Sequence, residues 1–97
     1  MQSYHQRVEA KLVKVRLLGG LAAVVGGDEI EVLVRENETV EELLGKLIKT
    51  YPQLEPLVRG ELGELNVVIV CNNKILDLKD VISNCREVVL APFSSGG

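Results

Sequence analysis

The sequence predicts an α+β fold in which one helix lies across one face of a mixed β-sheet. Three observations carry this. Short runs of alternating Val, Leu and Ile stand on both sides of one long amphipathic segment. That segment opens on a helix-start signature and carries an unbroken apolar stripe. The chain has 97 residues, 46% of them hydrophobic but only 3% aromatic, which suits one small aliphatic core.

The elements follow in order. Residues 1–10 are polar and without period, and read as a flexible N-terminal extension to a domain over 11–92. The first strand is expected at Lys11–Leu18, where Val13, Val15 and Leu17 alternate with Lys14 and Arg16. Gly19-Gly20 breaks it. Leu21–Val25 reads as a short apolar connection, closed by Gly26-Gly27-Asp28. The second strand, Glu29–Arg35, sets Ile30, Val32 and Val34 against Glu29, Glu31 and Arg35. The two runs predict an antiparallel hairpin with a long loop.

The helix is the clearest element. Thr39-Val40-Glu41-Glu42 has the form of a capping box, in which the Thr39 hydroxyl accepts from the Glu42 N–H and the Glu42 side chain accepts from the Thr39 N–H. Val40, Leu43, Leu44, Leu47, Ile48 and Tyr51 then fall on one face, which reads as a core-packing stripe. Pro52 stops the helix. Leu54–Arg59 suits one further turn. Val67–Cys71 is an apolar run expected to be covered on both faces. Asn72-Asn73 suits a tight turn, because Asn tolerates positive φ. A very short strand at Lys74–Leu76, a turn or short helix at Asp77–Asn84, and a last strand at Arg86–Ala91 complete the fold. Residues 93–97 read as a flexible tail. The order strand, strand, helix, strand, short strand, strand is that of the β-grasp, or ubiquitin-like, fold. It places the first and last strands side by side and parallel in the middle of the sheet.

Composition excludes several function classes. A net charge of -3 and the scarcity of aromatics argue against nucleic-acid binding. No apolar run is long enough to span a bilayer and no signal peptide precedes the first strand, so a cytoplasmic protein without membrane contact is expected. Cys71 and Cys85 are too few for a four-cysteine metal site and are not in CxxC spacing. His5, the only histidine, lies in the polar extension, so no Ser/His/Asp or Cys/His set exists. The glycine pairs lack phosphate-loop spacing. The acidic residues fall at outward strand and helix positions and read as a solvated surface. No internal catalytic site is expected.

What remains is the terminus. Ser94-Ser95-Gly96-Gly97 follows the last strand closely. Without Cβ atoms, Gly96 and Gly97 can enter a narrow channel carboxylate first. A terminal carboxylate is anionic at neutral pH and resists nucleophiles. Adenylylation by ATP would activate it, and a sulfur donor could then convert the acyl adenylate to a thiocarboxylate. The protein would supply the handle and another enzyme the catalysis.

The chain resembles the MoaD/ThiS family of sulfur carriers, and within it the small subunit of molybdopterin synthase. The resemblance covers residues 12–97 and rests on three stretches: Thr39-Val40-Glu41-Glu42-Leu43-Leu44 through Tyr51-Pro52, Val67–Asn72, and the ending Leu90-Ala91-Pro92-Phe93-Ser94-Ser95-Gly96-Gly97. It implies an E1-like adenylylating partner that uses ATP and a sulfur donor, a thiocarboxylate at Gly97, and sulfur delivery to a pterin precursor in complex with the molybdopterin synthase large subunit. It implies no bound cofactor and no catalysis by the chain itself. Phe93 stands where the family has a second proline, and the first strand ends in Leu17-Leu18-Gly19-Gly20 rather than the family's Phe residues and Arg-Glu pair. A ubiquitin-like modifier joined to lysines, a thiamine-pathway carrier and a non-covalent β-grasp interaction module remain alternatives.

Two further expectations follow from the strands. Alternation assigns Val88 and Leu90 to the core and Val89 and Ala91 to the outer face, with Phe93 continuing that outer row; with Ser94 and Ser95 these form the expected partner-binding patch. Cys71 and Cys85 fall beside each other if the third and fifth strands pair. In a cytoplasm, two buried thiols are expected rather than a bridge.

Overall fold

A computed structural model describes residues 10–93. Among the described residues, strands β1 (Ala10–Leu17), β2 (Glu29–Arg35), β3 (Val67–Cys71), β4 (Lys74–Ile75) and β5 (Glu87–Pro92) form one mixed sheet in the order β2-β1-β5-β3-β4. β1 and β5 run parallel at its centre and the other pairings are antiparallel. This is the expected β-grasp topology. The helix α2 (Val40–Thr50) buries Val40, Leu43, Leu44 and Leu47 in a core shared with Val13, Val15, Leu17, Val34, Ile69, Val88 and Leu90. Each fully buried aliphatic side chain contributes about 1.5–3 kcal/mol relative to leaving it in water.

The capping box forms as read: the Glu42 N–H donates to Thr39 Oγ1 at 3.3 Å, and the Thr39 N–H donates to Glu42 Oε1 at 3.0 Å. Pro52 ends α2 and opens a 3₁₀ turn over Pro52–Leu54, followed by the single-turn helix α3 over Glu55–Val58. Asn72 and Asn73 both take positive φ between β3 and β4.

Three expectations need correction and one alternative is decided. Leu21–Val25 is not a bare connection but most of a short helix α1 (Gly20–Val25), which buries Leu21 and ends at Gly26 in the left-handed conformation. Docking of Leu21, with Ala22, Val24 and Val25 packed against the core, stabilises a helix too short to propagate alone. Of the two readings for Asp77–Asn84, the turn is the one that forms. A turn closed by the Asp80 N–H donating to the Asp77 carbonyl, and by the Asp77 N–H donating to Asp80 Oδ2, leads to a fully buried Ile82. Cys71 and Cys85 are joined by a disulfide with Cα atoms 6.0 Å apart, so they are not free thiols. Antiparallel pairing of β3 with β5 brings the end of one strand to the approach of the other, within bridging range. Finally, not every acid is solvated: Glu38 is only 4% exposed. At the strand ends the differences are single residues. β1 begins at Ala10, which therefore belongs to the sheet and not to the extension; β5 begins at Glu87 and ends at Pro92.

Candidate functional site

The site is built where β5 leaves the sheet. β5 lies between β1 and β3, with Leu90 beside Leu17 on one side and Pro92 beside Val67 on the other. The Leu18 N–H donates to the Leu90 carbonyl at 3.0 Å, and the Phe93 N–H donates to the Asn66 carbonyl at 2.9 Å. The strand is thus held on both sides up to its last described residue. Pro92 has no N–H to donate and closes the ladder. Gly19, at φ +60°, lets α1 turn close beneath it: a Cβ there would stand 3.0 Å from Pro92 Cγ. Phe93 is 71% exposed. With Pro92, Leu21, Pro56 and Leu57 it borders an apolar groove of about 250 Å³ beside the exit. Ser94, Ser95, Gly96 and Gly97 lie outside the described residues.

Val88 and Leu90 point into the core, and Val89 and Ala91 are half-buried on the face opposite α2, as the alternation predicts. The register adds residues that sequence reasoning missed. Val70 pairs with Val89, Val68 with Ala91, and Ile75 with Val70. One apolar surface therefore runs from β5 across β3 to β4, beside the exit. The signal in the sequence was the unbroken apolar run Val67–Cys71. Its outward members Val68 and Val70 are only half-buried, so their face is not closed by another layer.

A charged row bounds this surface. Arg16 Nε donates to Glu87 Oε2 at 2.9 Å, and Glu29 approaches Lys14 at 3.4 Å and Arg16 at 3.9 Å. The hydrogen bond to Glu87 raises the Arg16 pKa above its ordinary value. The charges of Glu87, Glu29 and Asp28 act in the same direction, against desolvation. Exposed pairs of this kind contribute little to stability. They do separate the apolar surface from the Leu12–Leu33 pair at the other end of β1.

The sequence pattern of the ThiS family matches residues 15–97. The chain belongs to the ThiS family. It is similar to small archaeal modifier protein 1 of Haloferax volcanii, at 32% identity over 84 residues, which cover 84% of this chain and 97% of that protein. The crystal structure of that modifier superposes with a TM-score of 0.76 at 30% identity, over 90% of this chain and 100% of the other. A putative molybdopterin converting factor subunit 1 from Pyrococcus furiosus superposes with a TM-score of 0.71 at 23% identity, over 84% of this chain and 95% of the other. At that identity the likeness shows the fold alone. This ThiS-family chain is ubiquitin-like across its described residues, and no helix among them is long and apolar enough to cross a membrane.

Proposed function

We propose that this chain is a sulfur carrier whose reacting group is the C-terminal carboxylate of Gly97. One observation carries the reading: Gly96-Gly97 stands four residues beyond a hydrogen-bonded, central β5 whose end is fixed between β1 and β3. A fixed strand end followed by a short segment ending in glycine keeps a carboxylate within a few residues' reach of a docking face. An E1-like enzyme binds the apolar surface around Val89, Ala91 and Phe93, with Ser94 and Ser95 in its channel. A Gly97 carboxylate oxygen attacks the α-phosphorus of ATP and pyrophosphate leaves. Hydrosulfide from a sulfur donor then attacks the acyl carbon, AMP departs, and a thiocarboxylate remains. The family resemblance directs that sulfur to a pterin precursor on the molybdopterin synthase large subunit. The chain itself binds no cofactor and performs no catalysis in this scheme, which belongs to the cytoplasm, where its partners and ATP are found.

A second reading uses the same acyl adenylate. The similarity to small archaeal modifier protein 1 favours attack by a substrate lysine, which would form an isopeptide bond as AMP leaves. Incubation with an E1-like enzyme, ATP and either sulfide or lysine-bearing proteins separates the two. The carrier reading expects the intact chain with one oxygen replaced by sulfur. The modifier reading expects the chain joined to a lysine with loss of water. Neither product would overturn activation of the terminus.

A further inference from the structure

The outer edge of β2 lies across β1 from the tail surface, and it has its own chemistry. Leu17 N–H donates to the Asp28 carbonyl at 2.9 Å, which fixes the phase of the β1–β2 ladder. Residues 28, 30, 32 and 34 therefore exchange hydrogen bonds with β1, while Glu29, Glu31, Leu33 and Arg35 turn their backbone groups outward. Three outward groups are already occupied: the Arg35 N–H donates to Glu38 Oε1 at 2.9 Å, the Arg35 carbonyl accepts from the Glu38 N–H at 3.2 Å, and the Leu33 carbonyl accepts from Lys46 Nζ at 2.6 Å. The Glu29 carbonyl, both Glu31 groups and the Leu33 N–H have no partner among the described residues. The Glu38–Lys46 pair thus closes one end of the edge and leaves the stretch before it open.

Beside this open stretch runs a groove of about 410 Å³ between β2 and α2. Ile30 and Val32, both half-buried, line one wall, and Leu47 and Tyr51 line the other. Glu31 on the strand side and Lys49 on the helix side also line it, neither in an ion pair among the described residues, whereas Lys46 is neutralised by Glu38. An exposed edge with unpaired donors and acceptors is a template for another strand. Added strands take affinity from the ladder and specificity from alternate side chains.

We propose that the open β2 edge and the groove against α2 form a second docking site, which takes an extended segment of a partner protein as a sixth strand, its inward side chains apolar and flanked by an acidic residue. Residues opposite Ile30 and Val32 share their face, so aliphatic side chains enter the groove. The acidic residue meets Lys49. A second copy of this chain fits poorly: centring a symmetric pairing on the open stretch sets Glu31 against Glu31, and like charges directly opposed are destabilising. The site is independent of Gly97, so a ThiS-family chain can be held by one partner here while its terminus is activated by another.

The test uses the full chain and a labelled peptide of about eight residues, alternating valine and threonine and ending in two aspartates. Binding is followed by fluorescence anisotropy and by backbone amide shifts. The expected result is saturable binding, with shifts confined to Glu29–Leu33 and the C-terminal half of α2. Glu31→Pro removes an outward N–H without breaking a β1–β2 bond, and should weaken binding about tenfold. Lys49→Glu should weaken it about fivefold at low salt and less at high salt. Should Glu31→Pro fail to fold, methylating the peptide's edge-facing amides removes the same ladder from the other side. No binding, binding indifferent to peptide methylation, or shifts mapping instead to Val68 and Val89 would each overturn the proposal. Adenylylation of Gly97 is assayed alongside and should be unchanged by both substitutions, so failure of this site and failure of the tail reading are separable.

Discussion

Glu38 accepts from the Arg35 N–H at 2.9 Å and from Lys46 Nζ at 2.9 Å through Oε1, while its own carbonyl accepts from the Ile82 N–H. Oε2 lies 2.8 Å from Lys46 Nζ but off the angle of a directed hydrogen bond, so that oxygen is compensated by charge alone. A carboxylate this buried needs its cation: removing the partner of a buried charge is costly because the remaining charge cannot reach water. Lys46 is itself nearly half exposed, which holds the effect below that of a fully buried pair. We expect Lys46→Ala to lower the unfolding free energy by about 2 kcal/mol, and Glu38→Gln in the same chain to restore part of the loss. Urea denaturation measures both. A loss under about 0.5 kcal/mol, the range of ordinary surface changes, would show that Glu38 finds water or another donor once Lys46 is gone.

At the scale of elements, the disulfide links the end of β3 to the approach of β5 across a sequence separation of 14, and so closes the loop that carries β4 and the buried Ile82. A crosslink over a loop of this size restricts the unfolded chain and contributes about 3 kcal/mol on the chain-entropy model. Cys85→Ser, or reduction of the wild type, should lower the denaturation midpoint accordingly with the fold retained; an unmoved midpoint would rule the crosslink out as a source of stability. The bridge was not legible because a favourable register says only that two cysteines are neighbours, while compartment argues for thiols. α2 was legible in full, because its cap and its stripe are local patterns. α1 was not: six residues without a side-chain cap hold together through buried Leu21, through Ala22, Val24 and Val25 packed against the core, and through the approach of Pro92 to Gly19. Glu38 was misread for a related reason. An acid just before a helix looks solvated until the chain from Asp77 to Cys85 folds over it.

At the scale of the whole molecule, alternation alone placed Val89 and Ala91 on the outer face and left Phe93 beside them, but only the register joined Val68, Val70 and Ile75 to that surface. Val89 is central to it, flanked by Arg16 on β1 and Val70 on β3. Val89→Asp should weaken binding of an E1-like enzyme at least fivefold, about 1 kcal/mol, with unchanged melting; calorimetric titration that finds equal affinity for both chains would remove this face from the interface. The terminus makes the complementary case, where function changes and stability does not. The buried apolar side chains of the described residues run from Val13 to Leu90, and Phe93 is largely exposed. Deleting Gly96-Gly97 removes no apolar side chain and breaks none of the described hydrogen bonds that hold β5. The unfolding free energy should therefore move by no more than about 0.5 kcal/mol. Activation should be lost, because the shortened carboxylate stops short of an adenylylating centre whose reacting atoms must approach to about 3–3.5 Å. Gly97→Val should act in the same way by placing a branched side chain beside the carboxylate. ATP–pyrophosphate exchange with the E1-like enzyme, run beside thermal denaturation, reads both quantities. If the truncated chain is activated as fast as the intact one, Gly97 is not the reacting group.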